Sequence, residues 1–177
     1  LNPVGAMVGV IASFVKGQPN AYTVCMIYLA ADHRGFKLKE TIKKFLADRG
    51  IATEDCGAFS YDPQDDYTDF AAAAAAKIAK HRMGHKGIFI CGSGHGVDIV
   101  ANKFRGIRAA LCWNEEQAKK SRSDDDTNVL VLAADETHES KAHGVIAAWL
   151  DTSFSGEERH IRRLKEIADI ESKNFCG

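Results

Sequence analysis

From Met26 onward the chain alternates short apolar runs with longer stretches in which apolar residues recur every three or four positions. The short runs predict buried strands and the longer stretches predict helices packed on them, the pattern of repeated βα units over a parallel sheet. Ile27-Tyr28-Leu29-Ala30-Ala31 predicts a first strand, and Phe36, Leu38, Ile42, Phe45 and Leu46 predict a helix behind it that Gly50 closes. Further strands are predicted at Ile51 to Asp55, Gly87 to Ile90, Ile107 to Cys112 and Asn128 to Ala133. The intervening helices are predicted at Phe70 to His81, which is alanine-rich, and at Val97 to Phe104, Asn114 to Arg122 and Glu136 to Leu150. A charged helix at Glu157 to Glu171 follows the last strand unit. The expected architecture is α/β, with a five-stranded parallel sheet and an extra C-terminal helix.

Composition narrows the function classes more than it identifies one. A length of 177 residues, 45% hydrophobic and 27% charged, suits one soluble domain. A net charge of −1 removes any global case for nucleic acid or an anionic membrane as partner. Five cysteines with no CxxC pair suggest a reducing, cytoplasmic setting. Residues 1–25 lack a basic beginning, and their apolar runs are too short to span a bilayer. They are expected to be an upstream or cloning-derived extension, ahead of a single domain at 26–177.

Ligands of a parallel sheet bind beyond the carboxyl ends of its strands. The segments expected on that rim are Asp32-His33-Arg34-Gly35, the loop around Asp66-Tyr67, Cys91-Gly92-Ser93-Gly94-His95-Gly96, Cys112-Trp113 and Ala133 to Asp135. Three alternating glycines between a strand and a helix allow backbone N–H groups to approach an anion such as a phosphate or an enediolate oxygen. The loop is neither GxGxxG nor GxxxxGK[ST], so neither a dinucleotide site nor a P-loop follows. A thiol at such a helix start can be a base or nucleophile. By residue type alone, Cys91 is either that or a small buried strand-end residue. His81, His85, His138 and His143 have no ligand array around them and are expected on the surface. Cys56 and Cys112 are expected in the core, and Trp113 either floors a pocket or packs.

Six segments taken together carry more weight than any one of them. Ala31 to Lys39, Ile90 to Gly96, Ala101-Asn102-Lys103, Gly106 to Ala110, Thr127 to Leu130 and Arg159-His160-Ile161-Arg162-Arg163 resemble, in order and spacing, the ribose-5-phosphate isomerase B family. That family includes the galactose-6-phosphate isomerase subunits. The resemblance runs from about Met26 to Glu171. It implies a Rossmann-like three-layer sandwich, aldose–ketose isomerisation with no metal or cofactor, and a homodimer or dimer of dimers with shared active sites. It implies Cys91 as the base moving a proton between C1 and C2 through a cis-enediolate, with Ser93 assisting at the sugar hydroxyls. A second branch of the family uses a glutamate just beyond the loop, where this chain has Val97.

The resemblance implies that Asp32, His33 and Tyr67 line the substrate and that loop N–H groups of Gly92, Gly94 and Gly96 stabilise the enediolate oxygen; His95, by its place in the loop, and Arg34, beside His33, are further candidates to contact it. Arg159 and Arg163 would reach a phosphate from the neighbouring subunit. Two departures loosen the substrate. Asp124-Asp125 stands where many members have His-Asn, so the ring-opening position is Asp124, with Asp125 beside it on the substrate. Asp135 stands where an arginine commonly binds phosphate. The expected activity is a ribose 5-phosphate type isomerase of the pentose phosphate pathway. The alternatives are an isomerase of another or unphosphorylated sugar, and a non-catalytic sugar-phosphate-binding homologue.

Overall fold

The computed structural model describes residues 26–80 and 84–174; the N-terminal stretch 1–25 and His81 lie outside the described residues. Five strands, β1 (Ile27–Ala31), β2 (Thr53–Asp55), β3 (Lys86–Cys91), β4 (Ala109–Leu111) and β5 (Val129–Ala133), form one parallel sheet. Their order is β2-β1-β3-β5-β4. Alternate residues of the buried strands face opposite helical layers. Ile27, Leu29, Ile88, Ile90, Leu130 and Leu132 meet α1 (Phe36–Asp48), α4 (Glu115–Asp125) and α5 (Glu139–Asp151). Tyr28, Ala30, Phe89, Cys91, Val129 and Val131 meet α2 (Tyr67–Lys80) and α3 (His95–Ala101). The expected Rossmann-like three-layer sandwich is therefore present, with the alanine face of α2 (Ala71, Ala74, Ala75) allowing that helix to sit close on the sheet.

Element ends differ from the expected ones for local reasons. β2 starts at Thr53 because the Ile51 N–H is already bonded to Leu46 O, closing α1. α2 begins at Tyr67 rather than Phe70, which puts the tyrosine on its first turn. α3 is two turns, ending where Asn102 leaves the helix. The Asn102 side chain accepts from the Ala109 N–H (3.0 Å) and donates to Ala109 O (3.2 Å), occupying the outer edge of β4.

Lys39, in the first turns of α1, is fully buried. Its Nζ donates to Asp55 Oδ1 and Ala58 O, both at 2.5 Å, and so ties α1 to the chain leaving β2. Two histidines expected on the surface are instead packed. His143 stacks on Phe45 between α1 and α5, with ring centroids 4.3 Å apart, and His85 stacks on Tyr28 at 5.7 Å. Both follow from helix or strand faces that a half-apolar imidazole can cover. His138 is exposed as expected, and Cys56 and Cys112 are core.

The C-terminal helix α6 (Glu158–Asn174) lies at the amino ends of the strands. Glu171 accepts from the Gly106 N–H just before β4, and the Ser155 N–H donates to Ser123 O at the end of α4. His160 is buried, with Nδ1 2.8 Å from Ser155 Oγ. Among the described residues no helix is long and apolar enough to cross a membrane.

Candidate active site

The strand order reverses direction between β1 and β3, and loops diverging from such a point leave a crevice at the carboxyl ends. The β1 loop is shaped by Asp32, buried at 6% exposure, whose Oδ1 accepts the Gly35 N–H at 2.9 Å. His33 follows. Its backbone N–H donates to Asp65 Oδ1 at 3.0 Å, and its Nδ1 lies 2.6 Å from the same oxygen. Asp65 therefore joins the loop ahead of α2 to the β1 loop, while its Oδ2 is buried without a hydrogen-bond partner. Two residues on, the Tyr67 ring lies against Gly96, on the far side of the crevice.

Cys91 ends the central strand and is 4% exposed. Its carbonyl accepts the Ala134 N–H (2.9 Å), and the Gly92 carbonyl accepts the Asp135 N–H (3.1 Å), so the β3–β5 ladder runs on into the loop. Ser93 and His95 are exposed. Gly94 has φ 78°, the left-handed turn that leads into α3, and a side chain there would strike Leu111. Val97 is buried at 1% in the α2/α3 cluster. Burial pushes the other buried thiols, Cys56 and Cys112, above the usual thiol value. Asp98, in the first turn of α3, has an Oδ1 buried without a partner. Burial raises its carboxyl above the ordinary range against the lowering effect of His95.

The crevice thus gathers Asp32, His33, Arg34, Tyr67, Cys91, Gly92, Ser93, Gly94, His95 and Gly96, with Asp135 at its edge. It does not gather Asp124, Asp125, Arg159 or Arg163. α4 runs back from the end of β4 to the start of β5, so Asp124 and Asp125 sit at the amino ends of the strands. Arg159, on α6, shares that end, and its guanidinium is paired with Glu157 (2.8 Å). Eleven helical residues span about 16 Å, the distance that separates the two groups along α4. Ser123 Oγ donates to Asp124 Oδ1 at 2.5 Å.

A family profile described as Ribose/Galactose Isomerase matches residues 27–167. The chain belongs to that family. It is 37% identical over 145 residues to ribose-5-phosphate isomerase B of Mycolicibacterium paratuberculosis, covering 82% of this chain and 91% of the relative. It is 37% identical over 147 residues to the Escherichia coli K12 protein of the same name, covering 83% and 97%. The crystal structure of ribose-5-phosphate isomerase B from Mycoplasma genitalium with bound ribulose-5-phosphate superposes with a TM-score of 0.82 at 36% identity. That match covers 84% of this chain and 97% of that one. Membership makes the chain an intramolecular oxidoreductase that interconverts an aldose and a ketose. Asp65 and Asp98 had been given no role from sequence. Asp65 immediately precedes the Asp66-Tyr67 pair expected on the rim, but its partner His33 lies 32 positions away.

Proposed function

We propose that this ribose/galactose isomerase family member interconverts ribose 5-phosphate and ribulose 5-phosphate, with Cys91 as the base. The observation that carries this reading is a cysteine closing the central strand at the switch crevice, while Val97, where a glutamate base would stand, is core. The Cys91 thiolate takes the C2 proton of the open-chain aldose, and the electron pair moves to the carbonyl oxygen to give a cis-enediolate. The proton returns at C1, and the O2 hydroxyl proton passes to O1, leaving the ketose. Ser93 assists at those hydroxyls, and loop N–H groups from Gly92 to Gly96 steady the enediolate oxygen. His33 and Tyr67 line the sugar, and Asp32 shapes the loop that presents them.

The active unit in this reading is a homodimer. The separation of Asp124, Asp125, Arg159 and Arg163 from the crevice supports it, because a two-fold partner can bring those residues of one copy to the crevice of the other. Arg159 and Arg163 then fork onto the phosphate, and Asp124 acts as base at ring opening with Asp125 beside it. Buried free thiols at Cys56, Cys91 and Cys112 support a cytoplasmic setting.

The test is deuterium exchange. Ribose 5-phosphate and ribulose 5-phosphate are incubated with the protein in D2O and label at C2 and C1 is followed by NMR. Wild type exchanges both; Cys91→Ser is slower by about 10²–10⁴-fold. No exchange by wild type sinks the assignment, and undiminished exchange in Cys91→Ser removes Cys91 from it.

A further inference from the structure

Arg34 leaves the β1 loop and crosses the Cys91 loop. Its guanidinium fills the space where a side chain on Gly92 would be: an added Cβ would lie 2.4 Å from Cζ, 2.5 Å from Nε and 2.6 Å from Nη1. On its far side Nη2 donates to Asp135 Oδ2. Asp135 is itself anchored, its N–H bonded to Gly92 O at 3.1 Å. The arginine is therefore a strap from the β1 loop to the β5 loop, laid flat one residue beyond Cys91. The pair is 54% and 40% exposed, so it contributes little to folding stability. A guanidinium keeps its charge at any working pH and has five N–H donors in a rigid fork. Among the described residues its hydrogen bonding is through Nη2 alone.

We propose that Arg34 is a substrate-binding cation that donates to an oxyanion of the sugar phosphate lying on the Cys91 loop, and that Asp135 is the residue positioning it. The proposal rests on the crevice being the isomerase site. A carboxylate beside a phosphate would by itself repel it. As the holder of Arg34, Asp135 has the opposite net effect, because it removes the rotamer freedom the arginine would otherwise lose on binding. Two oxyanions are within the proposal's chemistry, the phosphate and the enediolate oxygen, and kinetics separate them.

Full-length wild type, Arg34→Met, Arg34→Lys, Asp135→Ala and Asp135→Glu are compared for KM and kcat on ribose 5-phosphate and for inhibition by inorganic phosphate, with thermal melts to verify folding. Arg34→Met and Asp135→Ala each lower kcat/KM by tenfold or more. If the oxyanion is the phosphate, KM and the inhibition constant for inorganic phosphate rise together. If it is the enediolate oxygen, kcat falls and inhibition is unchanged. Asp135→Glu recovers most of the loss, whereas Arg34→Lys does not, since an ammonium cannot hold the carboxylate and fork onto the substrate. A lower KM in Asp135→Ala, or an Arg34→Met enzyme with wild-type kcat, KM and inhibition, overturns the proposal. Should wild type turn over nothing, the isomerase reading fails, and calorimetric binding of inorganic phosphate decides Arg34 alone: equal binding by wild type and Arg34→Met overturns it.

Discussion

His33 meets Asp65 through its backbone and its ring, and the 2.6 Å contact at Nδ1 leaves Nε2 as the nitrogen a ligand can use. Asp65→Ala releases that ring. A charge-assisted hydrogen bond is worth about 1.5–3 kcal/mol, so kcat/KM is expected to fall roughly 10- to 100-fold, read by steady-state assay. Gly92→Ala makes a complementary test at the same mouth. Its Cβ takes the space of the Arg34 guanidinium without altering any charge, and the kinetic defect should approach that of Arg34→Met. A Gly92→Ala enzyme with wild-type constants would show that the strap is dispensable. Most members of the crevice were legible in the sequence because they follow the apolar runs of β1 and β3; Tyr67, which opens α2 after a polar loop, was legible through the resemblance. Their pairings were not. His33–Asp65 and Arg34–Asp135 join positions 32 and 101 residues apart, and one sequence does not show which loop charges meet.

Lys39 ties α1 to the end of β2, so breaking its contacts is an element-scale event. Removing one partner of a buried ion pair costs about 3–5 kcal/mol, and Lys39→Met should lose that much in urea unfolding. Burial alone would raise the Asp55 carboxyl, but hydrogen bonds from Lys39, Lys43 and the Gly57 N–H hold it below its ordinary 3.8. A depressed carboxylate stabilises fully above its unfolded value and loses that contribution as pH falls through the folded one. Wild-type stability should therefore drop below pH 3.8, with a flatter acid limb in Lys39→Met. Asp98 has the opposite sign. Its carboxyl is raised by burial, so the folded state holds the proton more tightly and stability declines as pH rises above 3.8. Asp98→Asn should melt higher than wild type at neutral pH, the difference closing below pH 3.8. Apolar periodicity revealed these helices but not their ends. α3 stops short because Asn102 turns to β4, and His143 is half-buried because Phe45 lies opposite it, neither of which is a property of its own segment.

At the scale of the whole molecule, one copy holds the thiol and the glycine loop at one end and Asp124, Arg159 and Arg163 at the other. On α6, Ile167 and Ile170 lie about 60° apart around the helix and are exposed at 41% and 58%, an apolar patch suited to burial against a second copy. The proposed sharing of the site between two copies is tested by a mixing experiment. In that reading Cys91→Ser and Arg163→Ala are each expected to be strongly impaired alone; unfolded together and refolded, they should recover about a quarter of wild-type activity, since half the dimers would be mixed and each would hold one intact site. No recovery would mean that both residues act in the same copy. The manner of assembly is also constrained at the sheet edges. β2 and β4 are three residues long, and the Asn102 amide occupies the outward backbone groups of Ala109. Edge strands with free backbone groups are templates on which another chain's strand can add without limit. With the β4 edge capped by a side chain, copies can associate through helices into a closed particle but cannot extend the sheet at that edge from one molecule to the next, which bears directly on whether a concentrated solution stays clear or deposits fibres.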